Sequence, residues 1–127
     1  MRQNFHAIYG KIRKKQGSEK MKNKTSNIGF IALDGTLELK PTGEIDHHSA
    51  AAMRKEADEL ICRYKPARVE LNLEKIEFMD SSGLGFIMGR FALAEKNGGV
   101  LVVKKPSKSV QKICRLAGLE RIITIIK

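Results

Sequence analysis

Met79-Asp80-Ser81-Ser82-Gly83-Leu84-Gly85 is the join around which this 127-residue chain is organised. Ahead of it, Arg68-Val69-Glu70-Leu71-Asn72-Leu73 alternates apolar and polar residues, as a half-buried strand does. Glu74 to Phe78 follows as a turn with a short apolar continuation. Behind the join, Leu84, Ile87, Met88, Phe91, Ala92 and Ala94 or Glu95 recur at helical spacing. That run ends at Asn97-Gly98-Gly99, where Gly98 suits the positive-φ position just past a helix. A strand passing directly into a helix is the repeating unit of an α/β fold.

The same alternation of elements extends in both directions. Upstream, Ile28 to Leu33 and Thr36 to Lys40 flank Asp34-Gly35, a strong hairpin signal because a type I′ turn needs positive φ twice. Pro41 and Gly43 are expected to end the second strand. Gly43 to Ala50 reads as a loop feeding a helix, with Asp46 or Ser49 as its cap. Ala50, Met53, Ala57, Leu60, Ile61 and Tyr64 then keep helical spacing until Pro66. Downstream, Val100 to Val103 is an unbroken apolar run, as in a strand covered on both faces. Ser107 is placed to cap a third helix carrying Val110, Ile113, Cys114 and Ala117, which ends at Gly118. Arg121 to Ile126 closes the chain as a strand or the start of a helix. The predicted order is β-β-α-β-α-β-α-β: an α/β fold with a mixed sheet of about four to five strands flanked by helices.

Charge divides the chain. Residues 1–27 carry eight basic residues and one acid, a net +7 of the total +10. Residues 28–127 carry sixteen basic and thirteen acidic residues, a net +3. The expectation is a basic, disordered leader over 1–27 and one folded domain over 28–127. A near-balanced domain argues against nucleic acid as its partner, beyond weak contacts through the leader. No apolar run approaches the roughly 18–20 residues of a membrane span, and no secretory core follows the N-terminus. Cys62 and Cys114 are far apart and are expected as reduced thiols in or near the core. A cytoplasmic protein with no membrane partner is the expected setting.

Catalysis finds little support. Asp46-His47-His48 has no further ligand at metal spacing, and adjacent histidines diverge on a helix or strand. No nucleophile–base pattern, phosphate-binding loop or zinc motif is present, and Gly83-Leu84-Gly85 lacks the third glycine of a dinucleotide fingerprint. No enzymatic activity, cofactor or metal is expected. The join itself has useful chemistry. A helix N-terminus offers unpaired N–H groups and a positive dipole end. Asp80, Ser81 or Ser82 can cap it, while Gly83 and Gly85 keep bulk away. A serine hydroxyl here could accept a phosphate that the helix end tolerates and a partner feels as about −1.5 to −2 charges. Local chemistry does not separate such a substrate serine from a plain cap.

Taken together, Gly43-Glu44-Ile45-Asp46-His47-His48-Ser49-Ala50, Asn72-Leu73, Phe78 to Gly85, Gly89-Arg90, Gly98-Gly99 and Gly118-Leu119 resemble the bacterial anti-sigma factor antagonists, whose fold is the STAS domain. The chain is most similar to the sporulation type that frees the first forespore sigma factor. The resemblance covers roughly residues 28–127. It implies a switch. The unphosphorylated protein binds an anti-sigma factor with serine kinase activity, which supplies the ATP chemistry, and sigma is released. Phosphorylation of Ser81 ends the binding and a serine phosphatase restores it. Glu44 and Asp46 would border the partner face, with Ser81, Ser82, Gly83, Leu84 and Gly85 at its centre. A STAS scaffold in a stress or general signalling complex, served by a different kinase, is the alternative. Relative to the family, the leader is extra and a C-terminal helix after the last strand is expected to be missing.

Overall fold

The computed structural model describes residues 28–127; the leader expected over 1–27 lies outside the described residues. The chain forms β1 (Ile28–Leu33), β2 (Thr36–Pro41), β3 (Gly43–Ile45), α1 (Ala50–Tyr64), β4 (Arg68–Asn72), β5 (Ile76–Met79), α2 (Ser81–Lys96), β6 (Val100–Lys104), α3 (Lys108–Leu116), a 3-10 turn (Leu119–Arg121) and β7 (Thr124–Ile126). The main sheet runs β1-β2-β4-β6-β7. Only β1 and β2 are antiparallel, joined through Asp34 and Gly35, both at positive φ as the turn requires. The remaining pairs are parallel, each reached through a helical crossover.

Two expectations need correcting. Gly43–Ile45, read as loop, is a short strand, and Ile76–Met79, read as turn with an apolar tail, is its parallel partner in a second, two-stranded sheet. Neither segment is long enough to display a period, and their pairing joins residues more than thirty positions apart in the chain. The mixed five-stranded sheet with helices stands as expected.

Alternation decides which face is buried. Leu37, Leu39, Val69, Leu71, Leu101 and Val103 all point to one face and are buried there. Each such side chain contributes about 1.5–3 kcal/mol by leaving water. α1 covers β1 and β2, α2 covers β6, and α3 packs by β5. α1 adds Met53, Ala57, Leu60 and Ile61; its C-cap is Lys65 in the left-handed region, one residue before Pro66. Cys62 is exposed rather than near the core, because it lies outside that buried stripe, while Cys114 is buried. The second face of β6 is only partly covered: Val100 is 50% exposed and Val102 is 7% exposed.

That second face is tied together by charge. Lys104 Nζ donates to Glu38 Oε2 at 3.2 Å and to Glu70 Oε1 at 3.1 Å, linking β6, β2 and β4. Asn72 donates to Glu38 and Arg68 to Glu70. Burial alone would push both glutamates up; the donors Asn72, Arg68 and Lys104 outweigh it and hold them below the usual range. Because their folded values are depressed, the stabilisation is complete above the ordinary glutamate pKa. It is lost as pH falls below that value and through the depressed folded ones. Lys104→Met is expected to cost about 1–2 kcal/mol at neutral pH. Urea unfolding as a function of pH should also show a smaller loss on acidification in this variant, since the two carboxylates no longer share a cation.

Candidate functional site

The join is built from the backbone outward. β5 ends at Met79, and Asp80 takes an extended conformation as the N-cap of α2. Its Oδ1 accepts from the Ser82 N–H at 2.7 Å, satisfying one of the orphan donors of the first turn. The Asp80 N–H in turn donates to the Ile45 carbonyl, which fastens the join to the end of β3. Asp80 is therefore the cap, and Ser81, the first helical residue, is left exposed. No hydrogen bond from the described residues holds the Ser81 side chain. The first turn of α2 contains no acid, so its positive end is not neutralised from within the helix.

The remaining predicted site residues divide by burial. Glu44 and Gly85 are exposed; Asp46, Ser82 and Leu84 are half-buried; Gly83 is buried. Gly83 has an internal reason to be glycine. A Cβ there would fall 1.9 Å from Met79 Cγ and 2.5 Å from its sulfur. The helix can enter this close to β5 only without a side chain. At Gly85 an added Cβ would meet nothing within 4 Å. The two glycines make a matched pair. Gly83→Ala is expected to lower stability by about 1–2 kcal/mol, the overlap with Met79 exceeding the gain in helix propensity. Gly85→Ala should leave it unchanged or raise it by up to about 1 kcal/mol. Thermal denaturation of the two variants side by side distinguishes them.

Asp46 organises the loop after β3. Its carboxylate accepts from the Ser49 N–H at 3.0 Å and the His48 N–H at 2.9 Å. These donors, Ser49 foremost, hold it below the usual carboxylate range. Ser49 Oγ donates to the Glu44 carbonyl at 2.7 Å. Ser49 occupies the cap position of α1, yet its side chain makes no bond to the helix. Neither residue caps α1 by side chain as expected; both are used to fold the loop beneath it. Phe78, register-paired with Glu44, is 51% exposed, so an aromatic ring stands by the acidic edge.

α1 and α2 approach each other and leave a shallow groove of about 370 Å³ near their N-terminal ends. His47, Ala51 and Arg54 line one side, and Ser82, Gly85 and Phe86 the other. Sequence reasoning had no signal for Arg54, an exposed residue on α1, because only packing brings α1 and α2 together. The face expected for α2 is right at Ile87 and Ala94, which are buried, and shifted elsewhere. The buried residues are Gly83, Phe86, Ile87, Arg90 and Ala94, whereas Leu84, Met88 and Phe91 are only partly covered and Ala92 is exposed. Arg90 faces inward because α1 supplies Asp58, whose Oδ1 lies 2.7 Å from Arg90 Nε.

Among the described residues no three His, Cys, Asp or Glu side chains are placed to hold a metal ion. None of the described helices is long and apolar enough to cross a membrane. The arrangement offers an exposed hydroxyl on a positive helix end, bordered by carboxylates and by a groove.

Residues 27–127 match the STAS domain family. The chain is 37% identical over 91 residues to the anti-sigma F factor antagonist of Paenibacillus polymyxa, covering 72% of this chain and 78% of the relative. Its fold is similar to that of the anti-sigma factor antagonist SpoIIAA in its unphosphorylated form, with a TM-score of 0.67 and 27% identity over 79% of this chain and 88% of the other. It also matches the Bacillus cell fate determinant SpoIIAA in its phosphorylated form. There the TM-score is 0.61 and the identity 26%, over 79% and 91% of the two chains.

Proposed function

This chain belongs to the STAS domain family, and on that premise we propose that it is an anti-sigma factor antagonist of the SpoIIAA type, switched by phosphorylation of Ser81. Unphosphorylated, it binds an anti-sigma factor that is also a serine kinase, and sigma is set free. The kinase then transfers the γ-phosphoryl group of ATP to Ser81 Oγ, which gives up its proton as the bond to the leaving ADP breaks. The phosphorylated protein dissociates, and a serine phosphatase returns it to the binding form. Its part is that of a binding module and kinase substrate in the cytoplasm.

The observation that carries this reading is the setting of Ser81. Its hydroxyl is exposed, unengaged by the described residues, and mounted on a helix N-terminus whose cap is already supplied by Asp80. Adding a phosphate therefore removes no structural hydrogen bond, and the helix end receives the charge favourably. The match of this fold to SpoIIAA in both unphosphorylated and phosphorylated forms supports a domain that keeps its architecture through the switch. The partner face is then Glu44, Asp46, Ser81, Ser82, Leu84 and Gly85, with Gly83 contributing its backbone.

The test is phosphate mapping. The full chain is incubated with the anti-sigma F factor of Paenibacillus polymyxa and ATP, then digested and analysed by mass spectrometry. One phosphate on Ser81 is expected, and none on Ser81→Ala. Phosphate that persists in Ser81→Ala overturns the site.

A further inference from the structure

Phosphorylation accounts for Ser81 but not for the groove beside it. Arg54 is exposed on the groove wall and has no carboxylate partner among the described residues. The acid one turn along α1, Asp58, is already taken by Arg90. Opposite Arg54, Gly85 interrupts α2 with the residue that weakens a helix most after proline, yet an added Cβ would touch nothing in the fold. Gly83 is explained by Met79; no contact within the fold explains Gly85 or Gly89, and of these two only Gly85 lines the groove. The groove is continuous with the partner face, since Ser82 and Gly85 belong to both. It is also opposite in charge to the edge formed by Glu44 and Asp46.

We infer that the groove seats a segment of the anti-sigma factor that bears a carboxylate between small or apolar residues. The carboxylate pairs with Arg54, and the backbone of the segment lies over Gly85, where any side chain on α2 would hold it away. The partner surface is thus bipolar, with an acidic edge at Glu44 and Asp46 and a cationic groove at Arg54. Such a pattern fixes orientation, because a partner docked in the reverse sense sets like charges together. This inference rests on the reading of the chain as an antagonist.

The experiment is calorimetric titration of the full chain into the anti-sigma F factor of Paenibacillus polymyxa in its ADP-loaded form. Arg54→Glu should weaken binding by about tenfold or more, and Arg54→Lys by no more than about threefold, as a charge pair predicts. Gly85→Ala should weaken binding by about fivefold although its melting temperature is no lower than that of the wild type, which separates occlusion from unfolding. Replacement of Ala51 by benzoyl-phenylalanine should photo-cross-link to a partner segment containing Asp or Glu. If Arg54→Glu and Gly85→Ala bind within about twofold of wild type while Ser81→Asp does not bind, the groove proposal is overturned and the antagonist reading stands. Cross-links only to a segment without a carboxylate overturn the assigned chemistry. If the wild type does not bind, or Ser81→Asp binds equally well, the antagonist reading falls and takes the groove with it.

Discussion

Ser81→Asp is expected to weaken binding of the anti-sigma factor by about 100-fold, close to 3 kcal/mol, without destabilising the domain. The two halves of this expectation have separate causes. Within the domain, residue 81 is the first helical position of α2, and no acid occupies that turn. A carboxylate there faces the positive end of the helix and contributes about 0.3–1 kcal/mol of stability. Asp80 keeps its bond to the Ser82 N–H, so the cap is untouched. On the proposed partner face the same charge joins Glu44, Asp46 and Asp80 at the adjoining β3 and β5 ends. A partner fitted to a neutral hydroxyl must either desolvate the new charge unpaired or draw back. Titration of Ser81→Asp against Ser81→Ala, with melting curves for both, reads the two effects independently. Loss of binding together with loss of stability would refute the separation, and undiminished binding would refute the switch.

Asp58→Ala is expected to cost about 3 kcal/mol of stability. Arg90 is 5% exposed between α1 and α2. Burial pulls its pKa down, and Asp58 opposes that effect. Asp58 Oδ1 lies 2.7 Å from Arg90 Nε as an ion pair, and Arg90 Nη2 donates to Asp58 Oδ2 at 3.5 Å. Arg90 also donates to the Phe86 carbonyl and lies 5.3 Å from the centre of the Phe86 ring. Removing Asp58 leaves a buried guanidinium with no counter-charge. Arg90→Met should be milder, because Asp58 is 37% exposed and can be rehydrated. The double variant Asp58→Ala/Arg90→Met should recover about half of the loss. Urea unfolding of the four proteins gives the coupling energy; additive losses would show that the pair does not hold α1 to α2.

The residues at Ser81 were legible in the chain because their chemistry is local. A cap, a first turn and an exposed hydroxyl span three positions, and the surrounding glycines mark the join. Ser81 rather than Ser82 followed from resemblance. In the structure, the Ser82 N–H is used by Asp80 and the Ser81 hydroxyl is left unengaged. The inward face of α2 is legible only in part, at Ile87 and Ala94. Its helical pattern is apolar on more than one side, so Met88 and Phe91 compete with Phe86. The basic character of Arg90 hid its burial altogether, since Asp58 stands 32 residues earlier.

By itself the sequence determined the hairpin at Asp34-Gly35, the cap at Ser107, the stop at Gly98, and the alternation that sends Val69 and Leu71 to one face. Each depends on hydrogen bonds or periodicities that close within a few residues. Only the tertiary structure decided that Gly43–Ile45 pairs with Ile76–Met79, that Gly83 is filled by Met79 while Gly85 stays open, and that Arg54 shares a groove with Ser82. These outcomes are set by packing between segments remote in the chain, where the identity of a residue says what it can do and its neighbours decide whether it does so.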